Sequence, residues 1–233
     1  MRKFTLLLIF GFAISLTLSA QVQKRVFLQE FTQASCAPCA AQNPAFDALV
    51  SQNLEKVDLI KFETWWPGFG PFYEQNPEEN TPWIQFNGIN SAPNVLIGGN
   101  ALTSGGSFPG APNGVTQAVI DNNYAQTTPI NIEIDHEINS TLDSLTVNVT
   151  VSNVTDMAVS FPDMRLRINM VEREINFASP PGSNGETEFI HVARKFIPNI
   201  DGISLGDMIA PNEMKTFTEK IYIPNYLYRY KDI

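Results

Sequence analysis

Cysteine is scarce in this chain of 233 residues, which has only two, Cys36 and Cys39. Two cysteines cannot form the disulfide framework that holds small secreted domains together. Histidine is equally scarce. His136 and His191 both lie in the second half, so the cysteine pair lacks the four ligands of a closed zinc site, and neither a metal nor another cofactor is expected. Positive charge is short as well, with 15 Lys and Arg against 24 Asp and Glu. Such a chain gains nothing from the counterion release that drives nucleic-acid binding, and acidic membrane surfaces are poor partners for it. Charged residues make up 17% and hydrophobic residues 43%, which permits a packed core and excludes wholesale disorder.

Apolar runs of spanning length are absent after residue 20, so no transmembrane span is expected in the mature chain. The one long run is "FTLLLIFGFAISLTL" (4–18). It follows Arg2 and Lys3 and is closed by the small residues of "LSA" before Gln21. This layout is that of a secretory signal peptide over 1–20, and the run is short for a membrane span. Its removal takes the formal charge from −9 to about −11. No cysteine follows the cleavage point, so no lipid attachment is expected there. The expectation is export to the periplasm, to the outer membrane or beyond, where disulfides persist.

The remainder is long enough for two domains. "RVFLQEFT" (25–32) reads as a buried strand, and the cysteines follow at once. "CAAQNPAFDALVSQNL" has helical spacing at Ala41, Ala45 and Leu49 and at Phe46 and Val50. "VDLIKFETWW" (57–66) predicts a second strand, and "APNVLIGGN" (92–100) a third. Between them, the segment 67–90 is rich in Pro, Gly and aromatics and predicts one short helix near "PEENTPWIQF". "NGVTQAVIDNNYA" (113–125) predicts a closing helix with Val115, Val119 and Ile120 inward. After Pro129 the period changes to two. Ile130, Ile132 and Ile134 alternate with polar residues, as do Leu145 to Val151, Met164 to Met170, and Phe217, Ile221 and Ile223. That texture predicts antiparallel strands with one wet face, sandwich-like, over 129–233. "LYRYKDI" ends the chain inside what reads as a strand, so this domain is expected to be incomplete at its C-terminus.

Three roles are open to Cys36 and Cys39: zinc ligands, a staple or a reactive pair. As a staple the pair is weak, since a loop of about four residues is worth roughly 2 kcal/mol on the chain-entropy estimate. As a reactive pair it is well placed between a strand and the start of a helix. Unpaired N–H groups and the helix dipole stabilise a thiolate there, and the thiolate is the nucleophile. Pro38 is tolerated in that first turn because its missing N–H would have no partner anyway.

The segment "EFTQASCAPCAAQNPAFDAL" resembles the active-site segment of the thioredoxin fold. Glu30 lies six residues before Cys36, and Pro44 five after Cys39, where that family keeps a buried carboxylate and a helix kink. "SAPNVLIGG" is similar to its cis-proline loop, with Pro93 as the cis residue. The resemblance implies an α/β thioredoxin-like domain over 21–128, with 67–90 as an insertion, followed by the all-β domain. It also implies a Cys36–Cys39 disulfide, with Cys36 as the attacking thiolate, Cys39 as the resolving thiol and Glu30 as the proton acceptor beneath Cys39. Pro93 would expose the backbone at Ala92 to a substrate strand. From their residue type alone, Trp65, Trp66 and Trp83 are candidates either to line a peptide groove near the cysteines or to form the core of the insertion, with Trp65 and Trp66 taken as substrate-binding. Departures are Ser35 in place of the tryptophan before the first cysteine, and Ala37–Pro38 without a histidine between the cysteines. Together with "FIHVARKF", nearly the whole mature chain resembles the 28-kDa outer-membrane-protein family of Bacteroidota, with Gln33 and Ala40 where that family usually has Gly and Pro.

Two functions follow as expectations. One is an exported thiol–disulfide oxidoreductase acting on protein thiols or disulfides in the periplasm or at the outer membrane. The other is an outer-membrane-associated binding or structural protein whose disulfide is inert. "GISLG" (202–206) fits a hydrolase elbow only superficially, because Pro198 and Pro211 crowd it and no His follows, so it reads as a turn. "GGNALTSGG" lacks the lysine of a phosphate loop. His191 reads as packed within the β half, and Arg194 and Lys195 as a solvated edge.

Overall fold

A computed structural model describes residues 21–228; the expected signal peptide and the last five residues lie outside the described residues. The first half runs β1 (Val22–Gln23), β2 (Val26–Thr32), α1 (Ala37–Ser51), β3 (Val57–Glu63), α2 (Pro71–Gln75) and α3 (Pro77–Phe86). It continues with β4 (Asn94–Ile97), β5 (Asn100–Ala101), a 3-10 turn at Pro112–Gly114, α4 (Gln117–Tyr124) and β6 (Thr127–Thr128). Seven strands follow: β7 (Ile130–Ile138), β8 (Ser144–Asn153), β9 (Val159–Leu166), β10 (Ile168–Asn176), β11 (Glu188–Ile197), β12 (Ile203–Ile209) and β13 (Met214–Tyr222). The fold is mixed α/β, with helices confined to the first half among the described residues.

The central sheet has six strands in the order β10-β11-β3-β2-β4-β5. β2 and β3 are parallel, as their connection through α1 requires, and β11 also runs parallel to β3. Because β2 is interior and covered on both faces, every residue of "VFLQEFT" but Phe27 is buried, the polar Gln29, Glu30 and Thr32 included. Val26 and Leu28 meet Phe46 and Val50 of α1, while Phe31 packs with Phe62, Trp83 and Phe196 on the opposite face. Sheet membership thus crosses residue 129, since β10 and β11 come from the second half. The other strands of that half form a three-stranded sheet, β13-β8-β7, and a pair, β12-β9. Leu145, Val147, Val149 and Val151 of β8 share one core with Leu166, Leu205 and Ile209.

Several local expectations need correction. In α1 the inward residues are Cys39, Asn43, Phe46 and Val50, whereas Ala41 and Ala45 face solvent. The inner stripe was set by the largest apolar side chains and by the cysteine rather than by the alanines. The insertion holds two helices, each begun by a proline at its first position. "MRLRINM" is not one strand. The chain leaves β9 at Leu166 and enters another sheet at Ile168. "GISLG" is not a turn but part of β12, whose two register shifts absorb Gly206 at φ 78°. Arg194 is no solvated edge either. It is 1% exposed and its Nε lies 3.0 Å from Glu172 Oε2, because β11 is interior, flanked by β10 and β3. Ile132 and Ile134, expected inward, are open to solvent. Leu227 and Tyr228 are not in a strand.

Candidate functional site

β2 delivers the chain to Gln33, and a tight turn brings Cys36 to the start of α1, where Cys36 N–H donates to the Gln33 carbonyl at 3.0 Å. Cys36 is the N-cap, with extended backbone, and its Sγ accepts the Cys39 N–H at 3.1 Å. That donor of the helix terminus is shared between the sulfur and the Cys36 carbonyl, which also accepts it at 3.1 Å. The two sulfurs are bonded as a disulfide, with Cα atoms 5.2 Å apart. The Ala92–Pro93 peptide is cis, and the Ala92 carbonyl oxygen lies 3.6 Å from Cys36 Sγ. The disulfide carries no proton, so this is a contact; a reduced Cys36 thiol would have that carbonyl as an acceptor.

Glu30 follows Leu28 on the face of β2 that looks at α1, and it is fully buried. Its register partner on β3 is Lys61, whose Nζ lies 3.0 Å from Glu30 Oε2 and 2.5 Å from Asp47 Oδ1 of α1. Burial pushes the Glu30 carboxyl up to about 7, with Lys61 opposing. Burial alone would lower Lys61, but Glu30 and Asp47 hold it above its ordinary value, so it remains a cation. Asn43 Nδ2 donates to Thr32 Oγ1 at 3.3 Å and to Glu186 Oε1 at 2.8 Å. Glu63, two residues beyond Lys61, is buried with no hydrogen-bond partner at either carboxyl oxygen among the described residues. Burial, and next the charge of Glu186, push it up to about 8. The layer beneath α1 thus holds two buried carboxyls raised well above the ordinary carboxylate range, around one fixed cation.

Two segments close over the cysteine turn. In the insertion, the Gly68 carbonyl accepts from Gln33 Nε2 at 2.5 Å, and the Phe69 carbonyl accepts from Ser35 Oγ at 2.6 Å. From the β10–β11 loop, Ser183 N–H donates to the same Ser35 Oγ at 3.0 Å, and Asn184 Nδ2 donates to the Cys36 carbonyl at 3.3 Å. Gly182 lies against the Ala34 backbone so closely that a Cβ there would sit 2.1 Å from the Ala34 oxygen. Cys36 is 1% exposed and Cys39 0%. Gly182→Ala should therefore lift the 180–185 segment. A misfit of about 1.4 kcal/mol, within the range for overpacking, corresponds to a tenfold faster opening of the disulfide by dithiothreitol. Thiol release followed in time checks this, and an unchanged rate would show that the segment does not guard the sulfurs.

The structure brings Cys36, Cys39, Ala92 and Pro93 together, with Glu30 on the sheet face behind α1. The tryptophans are placed differently. Trp66 leans onto the Phe31–Phe62–Trp83 cluster, and Trp65 stands edge-on to it at 4.4 Å, half exposed. It is Gly68 and Phe69, just beyond them, that reach the cysteine turn. Lys61, Asp47, Glu63, Ser35 and Asn184 were missed in the sequence. Alternation along "VDLIKFE" could have found two of them, since Val57 and Leu59 point inward and Lys61 and Glu63 share their parity. Nothing local signals the approach of Asn184.

No family model matches the chain, and no curated protein matches it. Among solved structures, HBP35 of Porphyromonas gingivalis is similar with a TM-score of 0.70 and 16% identity, over 90% of this chain and 67% of that one. A structural-genomics target from Agrobacterium tumefaciens is matched with a TM-score of 0.48 and 12% identity, over 87% of this chain and 80% of that one. The first shows a shared fold across most of the chain. No helix among the described residues is long and apolar enough to cross a membrane.

Proposed function

We propose that this chain is an exported thiol–disulfide exchange protein, built on a thioredoxin-like half and a sandwich-like β half, that acts on protein thiols or disulfides in the periplasm or at the outer membrane. The observation that carries this reading is Cys36 Sγ capping α1, with the Cys39 N–H at 3.1 Å and the Ala92 carbonyl before the cis proline at 3.6 Å. A sulfur in that position is stabilised as a thiolate by the helix terminus. The likeness to a structure from a Bacteroidota species accords with the resemblance to the outer-membrane-protein family.

In the oxidising direction a substrate thiolate attacks Cys36 Sγ. The Cys36–Cys39 bond breaks, and Cys39 leaves as a thiolate and takes a proton, a role we assign to the buried Glu30 carboxyl on the sheet face behind α1. A second substrate thiolate then attacks the substrate sulfur of the mixed disulfide. Cys36 leaves as a thiolate, and two electrons have passed to the cysteine pair. Reduction of a substrate follows the same path backwards. Trp65 and the Ala92 backbone are the groups offered to the substrate chain.

A second reading, a scaffold with an inert disulfide, is favoured by one observation: neither sulfur is open to solvent. A Cys39→Ser variant separates the two, because it leaves Cys36 unable to resolve its adduct. Mixed disulfides with extracytoplasmic proteins should accumulate on Cys36 and disappear in Cys36→Ser. The absence of adducts, together with no reduction of insulin by the wild-type chain, would leave the scaffold reading.

A further inference from the structure

We propose that the outer edge of β7 takes an extended segment of a partner protein as an added strand, one whose side chains alternate between apolar and basic. β7 pairs through its whole length with β8 and has no other strand neighbour among the described residues. Its nine residues contain no Pro, Gly or Lys, and the ladder to β8 has no register shift. Proline, lysine and register shifts are among the devices by which proteins blunt an exposed edge, and β7 has none of these three; its charged residues are all acidic and share one face. The edge strand β9, in contrast, carries Pro162 and has Asp163 at φ 50°.

The two faces of β7 specify the visitor. On one face Ile132 is 56% and Ile134 61% exposed, although their cross-strand partners Val151 and Val149 are buried. The core therefore stops at β8, and the middle of β7 overhangs it. Beside Ile132 runs a groove of about 620 Å³ lined by Phe27, Phe161, Met164 and Leu166, with Phe161 65% exposed. It has room for the apolar side chains of an arriving strand. On the other face stand Glu133, Asp135 and Glu137, opposite the neutral Thr150, Asn148 and Thr146 and in no salt bridge among the described residues. Opposite charges directly across a ladder stabilise it and like charges weaken it. A second copy of this chain is a poor occupant for that reason. Antiparallel pairing about Ile134 sets Glu133 against Asp135 twice, and pairing about Asp135 sets Glu133 against Glu137. Lysines or arginines at every second position meet the three carboxylates instead.

The test is fluorescence anisotropy of a labelled eleven-residue peptide alternating Lys and Val, titrated with the purified chain at physiological salt. Saturable binding is expected, with none for a peptide alternating Glu and Val. N-methylation of every second residue in one frame, which removes the donors facing β7, should weaken binding at least tenfold; the other frame should leave it intact. Charge reversal at Glu133, Asp135 and Glu137 to Lys should cost a similar factor, and so should Ile132→Asn with Ile134→Asn. Circular dichroism would confirm that these exposed changes leave the fold intact. Binding indifferent to both N-methylation frames, or to charge reversal, would overturn the proposal. So would a dimer in sedimentation that Ile134→Lys dissociates, because the edge would then belong to a second copy.

Discussion

Replacing Arg194 with alanine is expected to cost about 3–5 kcal/mol of stability, the range for removing one partner of a buried ion pair. Arg194 and Glu172 are both essentially inaccessible, with Nε 3.0 Å from Oε2. The guanidinium also holds its surroundings together. It donates to Gln75 of α2 and to the Tyr226 carbonyl at 3.1 Å, and it stacks within 4.9 Å of the Tyr226 ring and 5.6 Å of the Phe72 ring. One side chain thereby ties the insertion and the C-terminal segment to β11. Alanine leaves Glu172 without its guanidinium and opens a cavity, and both effects have the same sign. Urea unfolding monitored by circular dichroism measures the loss. Exchanging the pair together, Arg194→Met with Glu172→Met, should recover part of it, since the methionines refill the space and remove both members of the buried contact. A loss below about 1 kcal/mol in Arg194→Ala, the scale of a surface pair, would refute this account.

The second large effect is pH-dependent. Glu63 has an ordinary value of 4.5 and is pushed up to about 8 in the folded chain, first by burial and then by Glu186. The folded state thus holds a proton that the unfolded chain releases above 4.5. Stability from this group is fully present below 4.5 and is lost as the pH rises through 8. At about 1.4 kcal/mol per unit, the loss is on the order of a few kcal/mol across that window. Glu63→Gln removes the titration and keeps the shape. The variant should match the wild type near pH 5 and exceed it increasingly up to pH 8, in urea midpoints taken at pH 5, 6.5 and 8. Part of the wild-type slope should survive, because Glu30 is raised in the same sense. Parallel profiles for the two proteins would show that Glu63 is ionised in the fold.

Both effects concern residues that the sequence presents as ordinary charges. Arg194 sits in "HVARKF" beside Lys195, and the two look alike on paper. Only the pairing of β11 with β10 on one side and β3 on the other buries the first, while Lys195 reaches a carboxylate of α3 at the margin. Glu63 is subtler. Its parity with Val57 and Leu59 was visible, but the weight of that signal depends on knowing that β3 is interior.

The cysteine turn shows where the division falls. Residues close in sequence determined the strand before Cys36, the helix after it and Pro38 in the first turn, because capping, turn chemistry and alternation act over a few bonds. Tertiary structure alone decided that the sulfurs lie under Gly68, Phe69 and Asn184, that two late strands complete the first sheet, and that Ile132 and Ile134 remain uncovered. Burial is a property of neighbours, and these neighbours arrive from as far as 150 positions along the chain, beyond the reach of any local pattern.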